Sequence, residues 1–204
     1  RITSSSATHL GPLVATMYQR STLHALIEAK ALKRGDFTLA SGKKSSYFLN
    51  CKQVTLDALG SKLIGEGILE MLRQDAPLPK AVGGMSIGAD PITAAVVTVA
   101  GYENVPLKGF LVRKETKDHG ATANKFIEGP VEAGDDVVIV EDVVTTGGSS
   151  LQAIERALAY GLKVRGVIAI VDRMEGGIEA FTAKGYWCKS LFTIRDFGIE
   201  PPTK

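Results

Sequence analysis

The feature that most constrains the fold is an alternation of short apolar runs with helix-like segments over residues 81–194. Runs such as residues 137–140 and 164–171 are mostly apolar along their whole length rather than at every second position. Strands of this kind are typical of parallel sheets whose two faces are both covered by helices. The pattern therefore predicts an α/β fold, doubly wound around a mostly parallel sheet.

The same pattern sets the expected elements. The predicted strands are residues 81–84, 107–112, 137–140, 164–171 and 190–194, and the predicted helices are residues 57–73, 91–100, 149–160 and 176–184. Gly161 is placed to end the third of these helices. Before them, apolar spacing predicts a helix over residues 12–33 that stops at Gly35, and extended pieces at 37–39 and 47–49 predict a hairpin with a polar tip.

Length and charge bound the organisation and the partners. The chain has 204 residues and a net charge of +2, which predicts one domain and no strong non-specific affinity for nucleic acid. Residues 1–11 are expected to be a disordered tail. The longest apolar candidate, residues 91–102, has 12 residues against the ~20 that a membrane span needs, so no membrane partner is expected. Cys51 and Cys188 lack zinc or disulfide spacing, which predicts reduced thiols in a cytoplasmic protein.

The most informative motif is VVIVEDVVTTGGSS at residues 137–150. An apolar strand leads into two adjacent carboxylates, Glu141 and Asp142, and then into a hydroxyl- and glycine-rich turn before a helix. Backbone N–H groups, hydroxyls and a helix N-terminus suit a phosphate, and the carboxylates suit sugar hydroxyls or a hydrated divalent metal. The competing interpretation is an ordinary strand, turn and helix in which Ser149 is only the cap.

A second motif, RKETKDHGATANK at residues 113–125, follows the predicted strand 107–112. Four cations and a histidine without apolar periodicity describe a solvated loop, and a simple surface charge run is the alternative. Because the carboxyl ends of parallel strands carry the ligand site, this position favours a cationic lid over a polyphosphate.

Together the two motifs resemble the orotate phosphoribosyltransferase family of type I phosphoribosyltransferases. The first closely resembles the signature for phosphoribosyl pyrophosphate (PRPP) of type I phosphoribosyltransferases, which is specific, and with the second, RKETKDHG, the chain looks specifically like the orotate phosphoribosyltransferase family. Agreement extends to FTLASGKKSSYF at 37–48, GGMSIGADPI at 83–92 and VDRMEGG at 171–177. The chain departs from some members at Ala40, where they carry lysine, and at Ser86-Ile87, where they carry Tyr-Lys. The resemblance implies one phosphoribosyltransferase domain over residues 12–204, with a small N-terminal hood at about 12–55.

The resemblance also implies roles for individual residues. Those implied to bind PRPP are Arg113, Lys114, Lys117, His119, Glu141, Asp142, Val143, Val144, Thr145, Thr146, Gly147, Gly148 and Ser149. Those implied to bind orotate are Phe48, Thr145 and Arg173. Lys117, His119 and Asp142 are implied to be catalytic. Gly147 and Gly148 are both expected to let the backbone approach a phosphate without a Cβ.

The implied reaction joins orotate to the ribose 5-phosphate of PRPP, giving orotidine 5′-phosphate and diphosphate. Mg²⁺ is implied as the cofactor, carried mainly by PRPP and reached through water by Glu141 and Asp142, with no metal site made of side chains alone. A homodimer that shares lid residues between subunits is also implied. A purine-base phosphoribosyltransferase and a PRPP-sensing regulator remain alternatives, and the sequence leaves open whether the chain belongs to a bifunctional protein.

Overall fold

The computed structural model describes residues 18–38, 42, 44–115 and 126–202. The predictions for the N-terminal tail, Lys117 and His119 lie outside these ranges. Within them the helices are α1 (Arg20–Leu26), α2 (Lys52–Thr55), α3 (Ala58–Gln74), α4 (Asp90–Tyr102), α5 (Gly148–Tyr160) and α6 (Gly177–Thr182). The strands are β1 (Leu32–Thr38), β2 (Lys44–Leu49), β3 (Ala81–Met85), β4 (Lys108–Val112), β5 (Ile127–Glu128), β6 (Asp136–Val144), β7 (Lys163–Asp172) and β8 (Trp187–Thr193).

The main sheet has six strands in the order β5-β4-β3-β6-β7-β8. All neighbouring pairs are parallel except β4 with the short edge strand β5. The predicted mostly parallel α/β sheet is confirmed. From β3 the chain goes outward to β4 and later returns to β6 on the other side of β3. In such sheets ligands bind where the strand order reverses, outside the carboxyl ends of the strands, which here is the edge above β3 and β6.

Alternate side chains of the central strands enter two separate cores. Val138 and Val140 pack with α3 and α4 on one face, whereas Val137 and Ile139 pack with α5 and α6 on the other. The period of two in a strand explains this division, and it requires strands that are apolar on both sides. The continuous apolar runs of the sequence therefore reflect a sheet covered on both faces.

The hood, residues 18–55 of the described chain, carries its own two-stranded antiparallel sheet of β1 and β2. The predicted hairpin is confirmed, but the helix predicted over residues 12–33 ends early. A π-helical turn at Ile27–Ala31 continues α1, and β1 begins at Leu32, which pairs with Leu49. Gly35 thus lies inside a strand and ends no helix, because cross-strand pairing overrides the helical spacing of the apolar residues.

Strand β6 is longer than predicted and includes both carboxylates of the main motif. Pairing with β7 continues through Glu141 opposite Ala169 to Val144 opposite Asp172. Glu141 and Asp142 were expected to follow the strand, and they lie within it. Among the described residues, none of the helices combines the length and the apolar character that a membrane-spanning segment needs.

Candidate active site

A cavity of about 230 Å³ lies at the carboxyl end of β6. It is lined by Glu141, Val143, Val144, Thr145, Thr146, Gly147, Gly148, Ser149 and Ser150. Apart from Ser150, these are residues implied to bind PRPP, and of the implied residues from Glu141 to Ser149 only Asp142 does not line the cavity. The cavity therefore occupies the edge of the sheet that the topology marks for a ligand.

The turn between β6 and α5 presents backbone donors to this cavity. Gly147 is the N-cap of α5 in the left-handed conformation, with φ of 84°, and no side chain caps the helix. Ser149 is the second residue of α5 and is exposed. Ser149 therefore does not cap the helix, so this part of the competing interpretation is wrong. The first N–H groups of a helix have no partner within the helix, and they suit an anion.

The two glycines of the turn serve different purposes. A Cβ at Gly147 would lie 2.9 Å from Cζ of the buried Phe181, and its positive φ already disfavours other residues. A Cβ at Gly148 would meet no atom within 4 Å. Gly147 is thus required by the fold of the turn, and Gly148 keeps space open at the cavity. This conformational role of Gly147 was not foreseen from the sequence, and the approach of a phosphate to either glycine stays a prediction.

Glu141 is a buried acid at the floor of the cavity, 5% exposed. Its Oε2 accepts the hydroxyl of Ser150 at 2.8 Å, and its Oε1 accepts the N–H of Asp142 at 3.2 Å. Burial, reinforced by the adjacent Asp142 carboxylate, raises the pKa of Glu141 to about 7, although the Ser150 hydrogen bond opposes the shift. Near neutral pH, Glu141 therefore carries a proton for a substantial part of the time.

Asp142 is held by its neighbour Val143 and by Lys52 of the hood, and it lies close to Gly88. Its Oδ1 accepts the N–H of Val143 at 2.9 Å, and Lys52 Nζ lies 3.2 Å from its Oδ2. A Cβ at Gly88, in the loop after β3, would lie 3.1 Å from Oδ1. Lys52 belongs to α2 of the hood, and sequence reasoning missed it because nothing local links it to a strand 90 residues away.

The cationic segment begins at the end of β4. Arg113 forms an ion pair with Glu128 at 3.4 Å. Arg156 of α5 donates to the carbonyl oxygens of Arg113 and, at 3.1 Å, Lys114, and its guanidinium carbon lies 4.2 Å from the ring centre of Phe126. Arg156 thus joins the helix that starts at the cavity to residues on both sides of segment 116–125.

Arg173 follows β7 and is 8% exposed. Its Nε donates to the Tyr47 hydroxyl at 2.8 Å, its guanidinium carbon lies 4.6 Å from the Tyr47 ring centre, and its Nη2 forms an ion pair with Glu175 at 2.8 Å. Burial raises the pKa of Tyr47, although the Arg173 charge opposes the shift, so the phenol keeps its proton. In β2 it is thus Tyr47 that contacts Arg173, while the neighbouring Phe48 is 41% exposed.

Comparison with known proteins decides the family. No family model matches the chain. The orotate phosphoribosyltransferase of Rhodopirellula baltica is 56% identical over 183 residues, which cover 88% of this chain and 94% of that protein. The chain belongs to the orotate phosphoribosyltransferase family.

Solved structures agree with this membership. The orotate phosphoribosyltransferase of Mycobacterium tuberculosis in complex with PRPP has a TM-score of 0.73 and 32% identity, with 88% of this chain and 99% of that chain covered. The adenine phosphoribosyltransferase of Leishmania tarentolae has a TM-score of 0.60 at 16% identity, with 86% and 88% covered. At that identity the likeness is one of fold alone.

The candidate site residues of this family member fall into three groups. Glu141 through Ser149 meet at the cavity, apart from the side chain of Asp142, which turns toward Lys52. Arg173 lies beside them, because its N–H donates to the carbonyl oxygen of Val144 at 2.9 Å, next to Thr145. Arg113 and Lys114 stand at the end of β4, and Lys117 and His119 lie outside the described residues.

Proposed function

We propose that this protein transfers the ribose 5-phosphate of PRPP to orotate, giving orotidine 5′-phosphate and diphosphate. The observation that carries the proposal is the cavity at the end of β6, where the buried acid Glu141, followed by the half-buried Asp142, adjoins a glycine turn and the N-terminus of α5. The PRPP complex of the M. tuberculosis relative supports PRPP as one substrate. The family name of the relatives supports orotate as the other.

In this proposal the turn from Thr145 to Ser149 binds the 5-phosphate. Its N–H groups and hydroxyls donate to the phosphate oxygens, and the dipole of α5 favours their negative charge. Asp142 accepts hydrogen bonds from the ribose hydroxyls, with Glu141 beside it. The sugar is thereby held at its phosphate end and along one edge. This fixes ribose C1, the reacting carbon, between the departing diphosphate and the incoming orotate.

The reaction breaks the bond between ribose C1 and the diphosphate oxygen and forms a bond from C1 to orotate N1. Positive charge develops on the sugar in an oxocarbenium-like transition state, as in glycoside hydrolysis. We assign Arg113, Lys114, Lys117 and His119 to the departing diphosphate, whose charge they offset. Orotate N1 loses its proton readily, so the site needs no strong general base.

Mg²⁺ is proposed as the cofactor. The acids that the described part of the site offers to a hydrated ion are the adjacent Glu141 and Asp142, and the Lys52 ammonium already lies against Asp142 Oδ2, so direct coordination by these side chains is not favoured. The described residues contain no group of three or more His, Cys, Asp or Glu side chains that could hold a metal ion. Glu141 and Asp142 would therefore contact the hydrated ion through water, with PRPP as its main ligand. When bound, the ion neutralises charge on the diphosphate.

We further propose a homodimer in which Lys117 and His119 act in the partner's site. Mixing a Lys117→Ala variant with a Glu141→Gln, Asp142→Asn double variant tests this arrangement, because a hybrid dimer has one site with both halves intact. Activity should reappear after subunit exchange. Exchange without recovery would contradict shared sites.

A cytoplasmic location remains a prediction.

The deciding experiment follows the loss of orotate absorbance with PRPP and Mg²⁺, in parallel with adenine, hypoxanthine and uracil. Turnover of orotate alone supports the proposal. Turnover of a purine instead would make the protein a purine-base phosphoribosyltransferase. Binding of PRPP without turnover of any base would favour the regulator.

A further inference from the structure

The surroundings of Arg173 carry an inference about how the base is selected. A buried arginine without a partner is costly, because its charge is removed from water. Here Glu175 supplies the opposite charge and Tyr47 supplies both a hydrogen-bond acceptor and an aromatic face. The guanidinium is therefore fixed from the hood on one side and from the segment after β7 on the other.

The contacts with Tyr47 and Glu175 use different nitrogens of the Arg173 guanidinium, and this decides which N–H groups remain for a substrate carboxylate. A guanidinium binds a carboxylate through a pair of parallel N–H groups, either on the edge that includes Nε or on the edge between the two terminal nitrogens. Tyr47 occupies Nε–H at 2.8 Å. A planar carboxylate is thus directed to the edge formed by Nη1 and Nη2. Glu175 Oε1 lies 2.8 Å from Nη2, so Nη1 is the terminal nitrogen that neither Tyr47 nor Glu175 contacts.

The position of Arg173 relates this edge to the cavity. The main-chain N–H of Arg173 bonds to Val144, and the next residue, Thr145, lines the cavity. A base attached at the ribose would therefore meet the arginine close to the turn. Since Tyr47 comes from β2 of the hood, the hood sets the orientation of a group that belongs to the main sheet.

We propose that Tyr47 is a positioning residue that makes the site select a pyrimidine carrying a carboxylate. By engaging Nε and stacking on the guanidinium, it holds the Nη1–Nη2 edge of Arg173 for that carboxylate. Glu175 neutralises the arginine while no base is bound. This inference rests on the proposed function, because it assumes that orotate is the base.

The test compares Tyr47→Phe with the wild-type protein. The variant keeps the ring and removes only the hydroxyl that accepts from Nε. The KM of orotate should rise about tenfold or more, the size expected for a lost hydrogen bond to a charged group, while the KM of PRPP stays unchanged. Uracil lacks the carboxylate, so its inhibition constant against orotate should not change.

Two further variants make the result specific. Tyr160→Phe also removes one partly buried tyrosine hydroxyl, at a place away from Arg173. That hydroxyl donates to the Val131 carbonyl oxygen at 2.9 Å, so its loss should leave both KM values unchanged. In an Arg173→Lys background, which has no Nε–H fork, Tyr47→Phe should add no further change in the KM of orotate. That comparison, with a thermal melt of each variant, separates positioning from a general loss of structure.

An unchanged KM of orotate in Tyr47→Phe would overturn the inference, as would an equal rise in the KM of orotate and PRPP or in the inhibition constant of uracil. If the wild-type protein fails to convert orotate at all, the proposed function itself fails. If the wild-type protein converts orotate and Tyr47→Phe behaves like it, only the positioning role fails.

Discussion

The ammonium of Lys52 lies 3.2 Å from Oδ2 of Asp142, so a helix of the hood contacts an acid in the central strand of the main sheet. The other oxygen of Asp142 accepts the N–H of Val143. Both oxygens are thereby fixed before any substrate arrives. The contact also opposes the repulsion between the neighbouring carboxylates Glu141 and Asp142.

We expect Lys52→Met to weaken PRPP binding about threefold to fivefold, the range of a half-exposed ion pair, and Lys52→Arg to restore most of it. Calorimetric titration with PRPP and Mg²⁺ measures both. Lys30→Met is the matched control, because Lys30 forms a similar hood pair with Asp57 at 2.6 Å, away from the cavity. Tighter binding by Lys52→Met would contradict the positioning of Asp142 by Lys52.

Substitutions at the two glycines of the turn should affect different properties: PRPP binding at Gly148 and stability at Gly147. Gly148→Val should weaken PRPP binding at least about tenfold, or about 1.4 kcal/mol, because the side chain projects into open space beside the cavity. Its melting temperature without ligand should stay close to that of the wild type. Normal PRPP binding by this variant would place the phosphate elsewhere.

Gly147→Ala should instead lower stability. The positive φ alone costs about 1–2 kcal/mol for a residue with a Cβ, and the contact with Phe181 adds to it. A thermal melt without ligand should therefore show a loss of several degrees. A melting temperature equal to that of the wild type would show that Phe181 yields to the added methyl group.

Glu141 should make stability depend on pH. Its pKa in the folded protein is about 7, above the ordinary value of 4.5, so the folded state holds a proton that the unfolded state has lost between these pH values. Stability therefore falls as pH rises from about 4.5 to about 7 and stays lower above. Glu141→Gln resembles the protonated acid, so it should lack this contribution.

Melting temperatures of Glu141→Gln and the wild type, measured without ligand from pH 5 to pH 8, provide the check. Taking the difference between the two proteins removes the effect of the other titrating groups. The melting temperature of Glu141→Gln relative to that of the wild type should rise with pH. A difference that is constant over this range would mean that Glu141 titrates at its ordinary value.

The cationic segment makes a kinetic prediction. If Lys117 offsets charge on the departing diphosphate, Lys117→Ala should lower kcat at least about tenfold while changing the KM of orotate little, as expected for an interaction made mainly in the transition state. Lys163→Ala is a suitable control, because Lys163 is exposed at the start of β7, the opposite end of the sheet. Unchanged turnover in Lys117→Ala would return the segment to a surface charge run.

Local signals predicted most of the main sheet and the glycine turn between β6 and α5. Helix α3 lies within one residue of its predicted bounds, and Gly161 ends α5 in the left-handed conformation as expected. These features depend on residues close in sequence, such as an apolar period or a glycine with positive φ. The extension of β6 through Glu141 and Asp142 was missed because carboxylates within a strand resemble the start of a loop.

The contacts made by Lys52 and Tyr47 were also beyond the sequence. Each joins the hood to the main sheet. Lys52 belongs to no motif of the sequence analysis, and Tyr47 lies in the segment 37–48 that resembles the family, where only its neighbour Phe48 was implied to bind orotate. Tyr47 could have been found only by noting that successive residues of a strand face opposite sides. Its side chain therefore lies on the other side of β2 from that of Phe48. The contacts between the hood and the main sheet depend on packing between segments that are distant in sequence.

The hood also has a consequence for the order in which the molecule assembles. Its contacts with the site span long stretches of chain, 126 residues from Tyr47 to Arg173 and 90 from Lys52 to Asp142. During synthesis the hood leaves the ribosome first, but the partners that hold it are made much later. Contacts so distant in sequence form slowly. We therefore expect the hood to be the last part to acquire its native hydrogen-exchange protection, and substrate binding to appear only when it does.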